Sequence, residues 1–147
     1  MLITPHALTG AVIATLVPNI TFAVPLAISS HFILDMVPHW QETLYPYKPN
    51  KLTWIRIPLD LTLSIGLVWW ISQAHPNVSS VIWLTAFAAN IPDLDSFVSF
   101  SPTLLQNKII KSYWDWHNSI QKETSSLLGL VSQLLWSWVC LYISFSS

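Results

Sequence analysis

Charge is what this chain lacks. Asp, Glu, Lys and Arg make up 9% of its 147 residues, against roughly 25% in a soluble globular domain, and 52% of the residues are hydrophobic. An ordinary soluble surface is therefore excluded over helix-length stretches. An excess of positive charge is missing too: the net charge is -1, so nothing points to nucleic acid as a partner. Cysteine is nearly absent. Cys140 stands alone in an apolar run, which excludes an intrachain disulfide and a Cys-based zinc site and leaves it as a small buried hydrophobe. The opening MLITPHALTG has no basic n-region of a secretory signal, so the first apolar segment is expected to be retained. There is no tandem repeat and no low-complexity tract. The triplets NIT at 19–21 and NVS at 77–79 are read as chance matches to the glycosylation pattern.

What is present is a series of apolar segments in a single domain spanning 1–147. Thr4-Pro5 reads as an N-cap followed by proline at the first helical position, opening a helix over 5–17. At ~1.5 Å per residue this helix is short for a ~30 Å hydrocarbon core. Its small residues Ala7, Gly10, Ala11 and Ala14 invite close approach by another helix. A second helix runs over 20–37, kinked near Pro25 and closed by Pro38. Residues 39–52 form a polar, proline-containing loop. The segment 53–73 is the best spanning candidate, and AHPNVSS is a turn. A fourth helix begins near 78 and breaks at Pro92, and DLDSFVSF is a connector. Ser101-Pro102 starts an amphipathic helix to about 121 that suits a membrane interface. The uncharged segment 126–145 is the second strong spanning candidate. The expected fold is all-α: a polytopic bundle of five embedded helices and one interfacial helix. A soluble all-helical bundle is the alternative that the scarcity of charge disfavours.

Threading five segments back and forth puts the N-terminus, the 39–52 loop and the 93–122 region on one side. Lys48, Lys51, Arg56, Lys108, Lys111 and Lys122, which are all the Lys and Arg, fall on that side or at its entrance. By the positive-inside rule it is the cytoplasmic side of an inner membrane, with the C-terminus outside. Trp40, Trp54, Trp114 and Trp116 read as interfacial anchors.

The same map gathers the unusual polar residues. His6, His31, Asp35, His39, Asp60, Asn90, Asp93, Asp95, Asp115 and His117 all lie at the cytoplasmic end, and only His75 lies at the other. His31 and Asp35 are four apart and share a helix face. An Asp inside a membrane helix is costly unless it is paired, hydrated or bound to a cation. Imidazole and carboxylate together suit zinc, manganese or iron. A divalent ion there, with zinc or manganese favoured, would lower the pKa of bound water, and a spare carboxylate or His would act as base. His6, His31, Asp35 and Asp93 are the ligand candidates, with Asp60 and His117 as supporting or acid/base residues. Each has a plainer reading. His31 and Asp35 can be a hydrogen-bonded pair, and Asp60 can pair with Arg56 one turn earlier. Asp93 can cap the chain after Pro92, and Asp95 can be a solvated connector residue. His6 can be plain surface, and His117 with Gln121 an exposed polar stripe.

The stretches TPHALTGAVIATLVPN, SHFILDMVPHW and IPDLD resemble small bacterial and archaeal membrane proteins of the broad group of membrane-bound, metal-dependent hydrolases. His6 and Gly10 match an early H-x-x-x-G, and Asp93 and Asp95 match a P-D-x-D element. Of the group's His-rich last element, WHNSIQ keeps His117 alone. The resemblance implies a metal-dependent hydrolase of a lipid or phosphate ester in the bilayer. The alternative from another class is a non-catalytic metal carrier or assembly module that uses the same cluster structurally. A full translocation path is disfavoured, because the far side is almost uncharged and the last segment has only Gln133 in its middle.

Overall fold

The computed structural model of the protein describes residues 1–42 and 51–146. The middle of the polar 39–52 stretch, with Lys48, lies outside the described residues. Six helices follow one another: α1 (Ile3–Leu16), α2 (Ile20–Asp35), α3 (Thr53–Ala74), α4 (Ser79–Ala88), α5 (Lys108–Ile120) and α6 (Ser126–Ser146). Among the described residues there is no strand. A single isolated bridge joins His39 to Glu123.

The chain packs around α1. Ten of its 14 residues are buried, and it touches α2, α3, α4 and α6. The small residues make this possible. A methyl group built on Gly10 would come within 2.3 Å of the Thr85 carbonyl oxygen and 2.9 Å of the Ala86 Cα, so α1 and α4 meet backbone to backbone. Ala7, Ala11, Ala14, Leu8, Ile71, Ile82 and Ala86 form the core around that crossing.

A helix start inside a protein leaves its first amides without partners, and here they are met by side chains from two other helices. Gln133 Oε1 accepts from Leu2 N at 2.8 Å. Asp60 accepts from Ile3 N at 2.7 Å, Thr4 N at 3.3 Å and the Thr4 hydroxyl at 2.6 Å. Thr4 is therefore not the N-cap that its place before Pro5 suggests. The helix begins at Ile3, and the cap comes from α3.

Further along, Asn19 caps α2 by accepting from Thr21 N, and α2 ends at Asp35, two residues before the sequence estimate. The amphipathic helix expected from Ser101 begins later. Residues Ile91–Phe100 and Pro102–Gln106 are 3-10 turns, and Asn107 then starts α5 by accepting from Ile109 N and Ile110 N. The α2 exit is pinned to the α5 exit: Lys122 N donates to the Asp35 carbonyl at 2.9 Å, His39 N to Lys122 O at 3.0 Å and Thr124 N to His39 O at 2.9 Å. Gly129 of α6 lies under this segment, where a methyl group would meet Trp40 N at 2.2 Å.

The start of α1, the end of α2, the end of α4 and the start of α6 share one end of the bundle. Met1, Asp35, Ala89, Trp40 and Gln133 are linked there by hydrogen bonds. At the opposite end His75 donates to the Ser144 carbonyl. The helices α1, α2, α4 and α6 thus present alternate ends to the Met1 side of the bundle. Two helices, α3 and α6, are long and apolar enough to cross a membrane, and little of either is buried inside the protein. The other three segments expected to be embedded are α1, α2 and α4, of 14, 16 and 10 residues.

Candidate metal centre

The site forms where α2, α5 and the turn after α4 meet. His31 and Asp35 sit in the last turns of α2, and the spacing of four turns both toward the same point. Asp93 enters from the 3-10 turn that follows the break at Asn90-Ile91-Pro92. His117 is the one buried residue of α5, and it is carried inward by the packing of Phe32 against Trp116 and His117, at ring distances of 5.0 and 5.6 Å.

One ligand atom from each of His31, Asp35, Asp93 and His117 lies within 4.8 Å of all the others. Three are tighter. The Nε2 atoms of His31 and His117 are 3.3 Å apart, and each is 3.1 Å from Asp35 Oδ2. Asp93 Oδ1 lies 3.4 Å from His31 Nε2. Ligands about 2.0–2.1 Å from a tetrahedral metal are separated by roughly 3.3–3.4 Å, so these spacings are those of a coordination shell. His31, Asp35 and His117 are fully buried, whereas the Asp93 side chain is 24% exposed.

The outer contacts fix the tautomers. His31 Nδ1 is 2.7 Å from the Ala89 carbonyl oxygen, which can only accept, so Nδ1 carries the hydrogen. His117 Nδ1 is 2.8 Å from Asp95 Oδ2, and the same argument applies. Both Nε2 atoms are thus turned toward two carboxylates. With neutral rings four acceptors would converge, and only protons on Nε2 or a cation can reconcile them. A ligating imidazole commonly has its other nitrogen held by a carbonyl or carboxylate in this way.

Electrostatics follow the geometry. Burial disfavours a charged His117, but its hydrogen bonds to Asp35 and Asp95 outweigh that and push its pKa up to about 9. Burial alone would raise Asp93, yet the His31 contact and the nearby positive charges hold it below the ordinary carboxylate value. Burial and the carboxylates of Asp95 and Asp93 push the Tyr113 hydroxyl up to about 12. Tyr113 therefore stays a donor, bonded to the Pro92 carbonyl at 3.2 Å.

Several expectations are corrected. His6 is not surface: it is fully buried, with its ring stacked on His31 at 3.9 Å. It stands outside the four converging residues. Its Nε2 is 3.3 Å from the other Asp35 oxygen, Oδ1, off the line of a hydrogen bond. That oxygen also accepts from the Met1 amine at 2.8 Å. Asp60 does not pair with Arg56 and lies outside the cluster, because its carboxylate caps α1. Arg56 pairs instead with Glu42 at 2.9 Å. His117 lies among the four converging residues rather than beside them, and it is buried rather than part of an exposed stripe. Asp95, read as a solvated connector residue, holds His117 in place. The loop residue His39 is buried as well, its imidazole bonded to the Val37 carbonyl. Asp95 stands in the P-D-x-D element but was left out of the candidate site, and the Ala89 carbonyl was missed. Both roles depend on how distant segments meet.

No protein-family model, curated protein or solved structure matches this chain, so its functional reading rests on the geometry of this His/Asp cluster.

Proposed function

We propose that the protein is an integral membrane metalloprotein that binds one divalent cation through His31, Asp35, His117 and Asp93, and that it hydrolyses a lipid or phosphate ester. The observation that carries this reading is the convergence of two Nε2 atoms on Asp35 Oδ2 at 3.1 Å, with both Nδ1 atoms already engaged. A divalent ion held there by His31, Asp35, His117 and Asp93 would supply Lewis acidity and lower the pKa of a bound water. The chain's own contribution is to hold three ligands tightly and a fourth, Asp93, loosely at the partly exposed edge of the site. Asp93 would be the one ligand of the four that solvent and substrate can reach, whichever of zinc or manganese the site held.

The membrane reading is supported by α3 and α6 and by the large apolar side chains they expose, among them Trp54, Leu59, Trp69, Leu134 and Trp138. The site end would face the cytoplasm, where Arg56, Lys108, Lys111 and Lys122 gather. A reporter fused at residue 147 is then expected to be active on the outside of the inner membrane.

A second reading is favoured by one feature. Four protein ligands around zinc make a closed site, and closed sites are structural or storage sites. A non-catalytic metalloprotein would use the same four residues. The deciding experiment is metal analysis of purified wild type beside His31→Ala, Asp35→Ala and His117→Ala. We expect about one equivalent of a divalent metal in wild type and its loss in each variant. Wild type free of metal after purification in metal-supplemented medium, or variants that retain it, would overturn the ligand assignment. Phosphodiesterase and phosphomonoesterase assays on the loaded protein then separate catalysis from storage.

A further inference from the structure

A cavity of about 690 Å³ lies between α3 and α4, floored by the start of α1. Its volume falls within the roughly 300–1,000 Å³ of small-molecule sites, but its shape is unusual. Trp54, Leu61, Ser64, Ile65 and Val68 of α3 line it, at the spacing of a single helix face. From Trp54 to Val68 that face runs about 21 Å at 1.5 Å per residue. Trp83, Ala86 and Phe87 of α4 form the facing wall. The slot is therefore long and apolar, and exposed Leu61, Ile65 and Phe87 form part of its lining.

Apart from Ser64, the polar lining lies at the end where α3 starts and α4 stops. Gln41, Glu42, Arg56, Asp60, Asn90, Asp93 and Ser96 are there. Asp93 is the only residue of the metal cluster that reaches the cavity. Arg56 is half-exposed, paired with the largely buried Glu42 at 2.9 Å and set over the Trp40 ring at 5.3 Å, so its guanidinium is held at this end of the cavity with its exposed part available to an anion. An arginine beside a divalent cation is an arrangement that recognises phosphate.

We propose that this slot takes the hydrocarbon tail of a phosphate-ester lipid drawn from the bilayer, with the phosphate between the Asp93 corner of the metal cluster and the Arg56 guanidinium. The inference rests on the metal reading above for its phosphate end, while its tail end rests on the slot alone. A compact soluble phosphate ester would leave some 20 Å of apolar wall unfilled. A neutral lipid would bring no anion to Arg56 and the cation.

The test uses phosphatidic acid carrying a pyrene-labelled acyl chain, bound to the full-length protein in mixed micelles. Competitors are unlabelled phosphatidic acid, diacylglycerol with the same chains, and glycerol phosphate. We expect phosphatidic acid to compete, diacylglycerol to be about tenfold weaker, as loss of a charge-assisted contact implies, and glycerol phosphate to fail. Arg56→Gln should weaken phosphatidic acid by about tenfold and leave diacylglycerol unchanged. Ser64→Leu and Leu61→Trp should each weaken both lipids by about tenfold or more by filling the slot. Leu61 is half-exposed, so that variant keeps the interior packing, and neither change touches the cluster, so metal content should stay at the wild-type level. Equal competition by glycerol phosphate, or lipid binding indifferent to both slot variants in protein with an unchanged thermal transition, overturns the proposal. Slot-dependent lipid binding in protein that holds no metal sinks the metal reading alone. Metal without lipid binding sinks the slot alone.

Discussion

The contact between Asp95 and His117 gives the sharpest test of the site, because an exposed connector carboxylate would not affect metal binding and a positioning carboxylate must. The Asp95 side chain is 8% exposed and its Oδ2 is 2.8 Å from His117 Nδ1. Asp95→Asn keeps the size and an acceptor oxygen but removes the charge that makes the imidazole a better donor to metal. Loss of such an outer contact typically costs about 10–100-fold in metal affinity, which is about 1.4–2.7 kcal/mol. The control is Asp115→Asn. Asp115 is two residues from His117, but it is about half exposed and paired only with Lys111 at 2.5 Å. It should shift affinity by less than about twofold. The assay is competition for zinc against a chromophoric chelator, repeated from pH 6 to 9.5. Binding must displace the proton held on His117, whose pKa is raised to about 9. Wild-type affinity should therefore climb by about tenfold per pH unit for each proton released, and that slope should fade above pH 9. In the metal-free protein the raised pKa has the opposite consequence. Its stabilisation is complete below pH 6.5 and is lost as pH rises through about 9. Asp95→Asn should lower the pH at which the affinity slope fades and shrink the alkaline loss of stability. Equal affinities for wild type, Asp95→Asn and Asp115→Asn would refute the positioning role.

Three further outcomes test the architecture. Gly10→Ala should destabilise the protein by about 1–3 kcal/mol by forcing α1 from α4, read as a lower thermal transition in detergent. Gly66→Ala on α3 meets nothing within 4 Å and should raise that transition, by up to about 1 kcal/mol of helix propensity. A drop for both would mean the transition does not report helix packing. Asp60→Asn should lower the thermal transition through the weakened α1 cap, by about 1–2 kcal/mol, and leave metal content unchanged. Metal loss there would return Asp60 to the site.

Local features were legible in the sequence, and features made by distant segments were not. Helix spacing alone puts His31 and Asp35 on one face, and the Pro92 break announces that Asp93 stands at a helix end. The junction 91–107 was misread because Asn107, not Ser101, supplies the side chain that restarts the helix. Arg56 and Asp60 look like an ion pair because they are four apart. A half-exposed pair of that kind contributes little, whereas two unpartnered amides at a buried helix start offer a carboxylate both hydrogen bonds and the positive end of a dipole. Asp60 takes the amides, and Arg56 is left to Glu42.

The same competition clarifies why the cluster calls for a cation. An all-apolar helix looks alike to lipid and to protein interior, so α1 reads as one more embedded segment although it is the bundle's centre. Its small residues were the clue that separated the two. Once α1 is central, its buried start must be satisfied, and that need accounts for two of the polar residues lodged in apolar segments, Asp60 and Gln133. His31, Asp35 and His117 have no such explanation. Each imidazole already satisfies a carbonyl or carboxylate through Nδ1, and the atoms left over, two Nε2 and Asp35 Oδ2, are turned toward one another in a buried interior. In the metal-free protein protons resolve that meeting, as the raised pKa of His117 shows. One divalent ion would take the place of those protons, and three atoms 3.1–3.3 Å apart already have the spacing it needs.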